Sequence, residues 1–460
     1  MFLVRRAGAT PLLVAAVFVS TALAWVVPVL WPTGTTATPL YAIRSAAACN
    51  TCHIEPAGWY NPPDDAGRKC TLDCTGCHIS KTGGGLRTAT GDFYGYESLA
   101  MFGSHPGDGV DPSKYRDPDD SYSTKGRYRF WEGFSGWQAG KTPMVKVKDR
   151  FGPIEPDPKL KWGADVRIFG YLPLGSEESP KVFPMQAEVY GFAKPAKNIS
   201  IYGTVGLQGD RRDLIQKGEW HDRFAIRELW IQADNFKNNG YVRAGRFTKP
   251  FGWRHPNHTL FTRAGLDYDQ YAQVFGAEIG VAPNYPYANL AVFYQGIEKW
   301  PGEQQDTGYG AALTAGVRDL GWQLGGSAEI LKITEAGTTN IGAGTQVTAG
   351  PLWALNLYPF TILGEADFRA YNPVERADTA YQLFIFHELD YMPTRGINIF
   401  GTYEWQDVNL VNREDHRQRF SVGADWNIYK GWQVTAQYRR LYQATTFLSN
   451  DLLLMLHFWI

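Results

Sequence analysis

The sequence predicts an all-β transmembrane barrel of about sixteen antiparallel strands behind a small domain of irregular and α character. Three observations carry this. From Lys159 onward, segments of about ten residues alternate apolar and polar side chains with period two, as strands with one lipid face and one water face do. No later apolar run approaches the roughly 20 residues of a membrane helix, although aromatics make up 14% of the chain and glycine 49 of its 460 residues. Short turns alternate with longer polar loops, the connection pattern of outer-membrane barrels.

At the N-terminus, Arg5 and Arg6 precede an apolar run from Pro11 to Trp31, broken only by Ser20, Thr21 and Pro28. Residues 1–42 read as an export signal, with small-residue cleavage near residue 24, at Ala22-Leu23-Ala24, or near residue 42. The run is also long enough for an uncleaved anchor. The strand-rich remainder favours cleavage.

Residues 43–157 form the small domain and its linker. They are turn-rich, with Pro62-Pro63-Asp64-Asp65, Gly83-Gly84-Gly85 and an acidic stretch from Asp108 to Asp120. Four of the five cysteines fall in two copies of Cys-x-x-Cys-His, Cys49-Asn50-Thr51-Cys52-His53 and Cys74-Thr75-Gly76-Cys77-His78. This spacing is the attachment signature of c-type haem: two thiols add to the two vinyl groups of one macrocycle and the adjacent imidazole reaches the iron. Two covalently bound c-type haems are therefore expected, with His53 and His78 as proximal ligands. A set of four thiolates around zinc, or disulfides in an exported protein, uses the same cysteines, but neither requires a histidine after both pairs. Cys70 reads as an incidental thiol. A domain poor in ordinary core can pack around two macrocycles, which act as its hydrophobic centres.

Residues 158–460 form the barrel. Ile199, Ile201, Val205 and Leu207 alternate with Ser200, Tyr202, Thr204 and Gln208; Phe420 to Ile428 and Trp432 to Tyr438 alternate likewise. Short turns fall at 195–197, 237–239, 283–285, 318–320, 393–395 and 429–430, and longer loops near 174–181, 209–222, 248–272, 298–306, 333–341, 372–378, 408–415 and 443–449. This alternation gives sixteen strands with both barrel ends periplasmic. Around Gly350-Pro351-Leu352 the tenth and eleventh strands are ambiguous, and fourteen is the fallback count. The chain ends on Leu452 to Ile460, an apolar strand with terminal aromatics like the signal read by barrel-insertion machinery, although its last residue is isoleucine.

A cytochrome segment followed directly by a porin-like barrel resembles the fused cytochrome-porin family of iron-oxidising and other electron-exchanging bacteria. The resemblance rests on that arrangement and on Ala48-Cys49-Asn50-Thr51-Cys52-His53; it covers essentially the whole mature chain, and only the haem motif is specific. It implies an outer-membrane protein whose cytochrome part is periplasmic or inside the barrel, passing electrons between an extracellular donor or acceptor and periplasmic cytochromes or other carriers. The best-known members carry one haem motif, so this chain looks like a dihaem variant. The conduit role carries over; ferrous iron as the donor does not.

Met101, His105 and His258 are the distal-ligand candidates, and a methionine would raise the haem potential relative to a second histidine. The loop between Thr248 and Gln273, with Trp253, Arg254, His255, His258, Arg263, Asp267, Tyr268 and Asp269, is expected outside, folding into the mouth or constricting a pore. Glu404, Asp425 and Arg439 are expected to face the lumen, lining water or gripping an inserted domain. A plugged lumen predicts low solute conductance. The formal charge of −1 argues against a nucleic-acid partner. No hydrolase triad, phosphate loop or obvious carboxylate pair is present, so any catalysis would be iron oxidation or metal reduction at haem. The competing readings are a diffusion porin with an N-terminal structural metal or redox-sensing segment, and an inner-membrane-anchored dihaem cytochrome followed by a soluble β-domain.

Overall fold

The computed structural model describes residues 78–88, 91, 92, 95 and 99–102, and residues 159–460 apart from 209–223, 269–271 and shorter loop stretches between 176 and 413. The expectations for the signal segment, the first haem motif, Cys70, Cys74, Cys77 and His105 lie outside the described residues.

Alternation in sequence becomes alternation in space. Sixteen full strands follow one another: β1 (Leu160–Leu174), β2 (Lys181–Ala196), β3 (Ile199–Gln208), β4 (Leu229–Phe236), β5 (Gly240–Thr248), β6 (Gln273–Val281), β7 (Pro286–Gln295), β8 (Thr307–Arg318), β9 (Trp322–Glu335), β10 (Gly344–Leu357), β11 (Phe360–Pro373), β12 (Ala380–Thr394), β13 (Ile397–Asp407), β14 (Arg417–Tyr429), β15 (Trp432–Gln443) and β16 (Thr446–Trp459). The sheet's seventeenth member is the two-residue Phe224–Ala225, which adds to β3. Every strand pairs antiparallel with its sequence neighbour, and β1 closes on β16, from Asp165 opposite Trp459 to Leu174 opposite Asn450. Closure leaves no open edge, so every backbone group in lipid can find a partner.

The two faces separate as the sequence requires. In β3, Ile199, Ile201, Val205 and Leu207 are exposed outward, whereas Ser200, Tyr202 and Thr204 are buried inward. In β14, Phe420, Val422 and Trp426 face out and Ser421 and Asn427 face in. Among the described residues no helix is long and apolar enough to cross a membrane; the strands cross it. Glu404, Asp425 and Arg439 all take inward positions.

Two details differ from the sequence reading. The ambiguous stretch is a single strand: β10 runs through Gly350 and Pro351, and its ladder to β11 skips from Ala349–Phe368 to Leu352–Glu365. Pro351 has no N–H to donate, which accounts for the gap without ending the strand. The seventh short turn follows Leu357. The loop expected at 443–449 is instead a tight link at Ala444-Thr445 between β15 and β16. Residues 446–449 join the strand because their side chains find partners there: the Phe447 and Tyr442 rings lie 6.0 Å apart, and the Arg440 guanidinium covers both.

The lumen is occupied by the chain itself. The described residues between 78 and 102 lie against the inner wall near the short-turn end, and residues 249–268, with the four-residue helix α1 (Phe261–Ala264), fold across the interior. Leu86 joins a core with Tyr190, Phe192, Tyr202, Trp230 and Phe247, all on inward strand positions.

Candidate functional site

Gly83, Gly84 and Gly85 have φ of 78°, 74° and 61°, a run that only glycine adopts readily. They turn a short hairpin in which His78 pairs with Arg87 and Ile79 N–H donates to Leu86 O at 3.0 Å. A Cβ on Gly84 would press on the Arg254 guanidinium, and one on Gly85 would strike the Tyr202 hydroxyl. The glycines thus make the turn and let it lie close to the wall.

Polar side chains fix the hairpin to the barrel. Arg243 donates to Ser80 Oγ at 3.3 Å and Thr82 Oγ1 at 3.4 Å. It also pairs with Glu278 at 2.8 Å, both side chains having 0% exposure. Leu86 N–H donates to Tyr202 Oη at 3.4 Å, and Lys161 donates to Arg87 O at 2.7 Å and Asp92 Oδ2 at 2.5 Å. Arg87 lies 4.8 Å over the Trp459 ring. Because Lys161 belongs to β1 and Trp459 to β16, the hairpin straddles the seam that closes the barrel. Further on, Met101 and Phe102 N–H groups donate to Asn427 O and Ile428 O at the short-turn rim.

Residues 249–268 of the long loop form the opposing wall. Lys249 pairs with Glu329 at 2.8 Å, both nearly inaccessible. Trp253 Nε1 donates to Gly364 O at 2.9 Å, and His255 sits 3.2 Å from Glu388. Phe261 N–H donates to Glu404, Arg419 to Thr259 O, Arg369 to Leu266 O and Arg439 to Asn257 Oδ1. Glu404 and Arg439 therefore grip this loop, while Asp425 accepts from Thr435. Of the two arrangements expected for this loop, the structure has it folded into the barrel rather than lying as a solvated external loop.

Between hairpin and loop remains a cavity of about 330 Å³ lined by His78, Arg87, Arg167, Arg227, Arg254 and His258, among others. Burial, then the Arg87 and Arg254 guanidiniums, push the His78 imidazole down to about 3. Burial, then Arg167, Arg439, Arg227 and Arg263, do the same to His258. Both rings are neutral at pH 7, the form that ligates metals.

Of the expected site residues, the structure brings His78 and His258 to one cavity. Met101 is elsewhere, at the rim, with its sulfur 3.1 Å from Trp426 Nε1. His78 Nδ1 has no hydrogen-bond partner. A neutral buried imidazole beside guanidiniums suited to propionate carboxylates is the chemistry that a haem attached at Cys74 and Cys77 would require of His78 and its neighbours. Among the described residues no three His, Cys, Asp or Glu side chains gather as a separate metal site. Sequence reading passed over Arg167, Arg227, Arg243, Glu188, Glu228 and Glu278. Strand parity gave a usable signal for four of them, since Arg167, Glu188, Arg243 and Glu278 fall on inward positions of β1, β2, β5 and β6.

No family model and no curated protein matches the chain. Among solved structures, the chain is similar to OmpT, an outer-membrane protein of Vibrio cholerae. Against its loop L8 deletion mutant the TM-score is 0.50 at 12% identity, covering 65% of this chain and 99% of that one. Against OmpT expressed in the outer membrane it is 0.50 at 11% identity, covering 65% and 97%. At such identity the likeness is one of fold. The chain is a porin-like β-barrel with an outward apolar band, the surface that such a barrel turns to lipid.

Proposed function

We propose that the chain is an outer-membrane electron conduit, exchanging electrons between an extracellular donor or acceptor and periplasmic carriers. The observation that carries the reading is the position of His78: the histidine of the second Cys-x-x-Cys-His motif is held inside the lumen, in a chamber closed by the hairpin on one side and residues 249–268 on the other.

Cys49, Cys52 and His53 would hold one haem, and Cys74, Cys77 and His78 the other. A c-type haem supplies reversible one-electron exchange at iron. The residues around it do the rest. The hairpin turn at Gly83 to Gly85 fixes where His78 points, and burial keeps that imidazole neutral. Arg87 and Arg254 offer charge to anionic groups beside it. The barrel wall keeps lipid away from the chamber, and the packed loop narrows the path for solutes. An apolar band of about 25 Å separates the two aqueous sides, so redox partners at both ends complete the path. Ferrous iron is one extracellular donor of suitable chemistry.

The fold taken alone supports a second reading more directly, that of a diffusion porin whose N-terminal segment is a structural metal or redox-sensing element, because barrels of this size commonly enclose a water-filled channel. Reconstitution separates the two. Full-length protein is placed in liposomes enclosing an oxidised dye, and a membrane-impermeant reductant is added outside. Dye reduction that is lost in Cys74→Ala with Cys77→Ala, with little steady conductance in planar bilayers, is the expected result. Large steady channels without dye reduction would favour the porin.

A further inference from the structure

The chamber is charged out of proportion to the chain. Lysine and arginine total 45 against 46 aspartate and glutamate over the whole sequence, yet eight residues lining the chamber are Lys or Arg and three are Asp or Glu, with Lys249 among the eight paired to Glu329 behind the lining. Each of the three lining carboxylates already has an arginine: Asp165 has Arg167 at 3.3 Å, Glu188 has Arg227 at 2.5 Å and Glu228 has Arg254 at 3.0 Å. Arg167 Nε lies within ion-pair range of Asp165 but makes no hydrogen bond. These three arginines keep 16–26% of their side chains accessible, toward the cavity. Arg87 joins them from the hairpin, resting on Trp459.

We infer that this chamber is a binding site for a small polyanion bearing two or more carboxylate or phosphate groups, with Arg87, Arg167, Arg227 and Arg254 as its ligands. The four come from separate parts of the chain, the hairpin, β1, the approach to β4 and the long loop, so the site exists only when the lumen is assembled. Charge-assisted, forked donors in an enclosed space give the strongest contacts available to such an anion. A volume of about 330 Å³ is that of a small-ligand pocket. Two sources share this chemistry: the propionates of a haem tethered at Cys74 and Cys77, and a free solute. In the first case the site deepens the proposed function, and in the second it stands without it.

The test uses the full chain in detergent, prepared from cells with and without haem-attachment machinery, titrated by calorimetry with citrate and with pyrophosphate. The haem-free chain is expected to bind at least one of them, with affinity that falls as salt rises. Arg87→Gln and Arg167→Gln, made separately and each checked for heat-modifiable gel mobility, are expected to weaken binding at least tenfold, and Arg87→Lys less. Haem-loaded chain that no longer binds the probes identifies propionates as the occupant; retained binding identifies a free anion. If neither probe binds the haem-free chain, or binding ignores every arginine substitution in correctly folded protein, the site is overturned. A chain that never acquires haem leaves this result intact and removes the conduit reading alone.

Discussion

Arg254 Nη1 donates to Thr82 Oγ1 at 3.0 Å, joining a loop that descends from one end of the barrel to a hairpin anchored near the other. The same guanidinium pairs with Glu228 on the wall. One arginine thus ties hairpin, loop and barrel together inside the lumen.

Thr82→Val removes the hairpin's side of that link while leaving the Glu228 pair. A hydrogen bond to a charged group contributes about 1.5–3 kcal/mol. Bilayer recordings of the variant should show brief openings on the order of ten times more often than in the parent, and an unchanged record would mean the link does not hold the hairpin.

Gly85→Ala should displace the hairpin, because the new methyl meets the Tyr202 hydroxyl at a position where φ is 61°. Protease cleavage within 78–102 should accelerate while the barrel keeps its heat-modifiable mobility. Adding Tyr202→Phe removes the clashing oxygen and should recover part of the protection. Equal cleavage of parent and variant would place the hairpin away from Tyr202.

Arg243 and Glu278 form an ion pair sealed from solvent, and Tyr241 donates to the same carboxylate. Breaking a buried pair by removing one partner costs about 3–5 kcal/mol. Arg243→Met should lower the urea unfolding midpoint clearly, and Arg243→Met with Glu278→Gln should regain a large part of it. A double variant no better than the single one would show that Arg243 acts mainly through Ser80 and Thr82.

The loop's packing should weaken in acid. His258 is shifted from an ordinary 6.5 down to about 3, so between those values the released loop binds a proton that the packed loop excludes. Its contribution is complete above pH 6.5 and is lost as pH falls toward 3, with loop opening rising about tenfold per unit. Hydrogen exchange across 253–266 at several pH values reads this directly, and His258→Gln should flatten His258's share. A pH-independent rate in the parent would contradict the buried imidazole.

The barrel was legible because its physics is periodic. Ile199, Ile201, Val205 and Leu207 had to share a face, and Phe420, Val422 and Trp426 another, whatever the register. The link at Ala444-Thr445 was hidden because Ser449 and Asn450 look like loop residues until Arg440, Tyr442 and Phe447 are seen packing across β15 and β16. The lumen was less legible still. His258 could be named as a candidate, but Arg254 meeting Thr82 and Arg243 meeting Ser80 join residues more than 160 positions apart, and no local pattern encodes such pairs. Gly83-Gly84-Gly85 reads only as part of a turn-rich stretch, and its fit against Tyr202 and Arg254 is visible in space alone.

The conduit reading meets its most direct test in one count. Protein purified from native outer membranes, denatured and measured as its pyridine haemochrome, should carry two haems per chain that survive denaturation, and His78→Ala should alter the spectrum of one. A colourless chain in a correctly folded barrel would contradict the account and leave a porin-like barrel with a hairpin in its mouth.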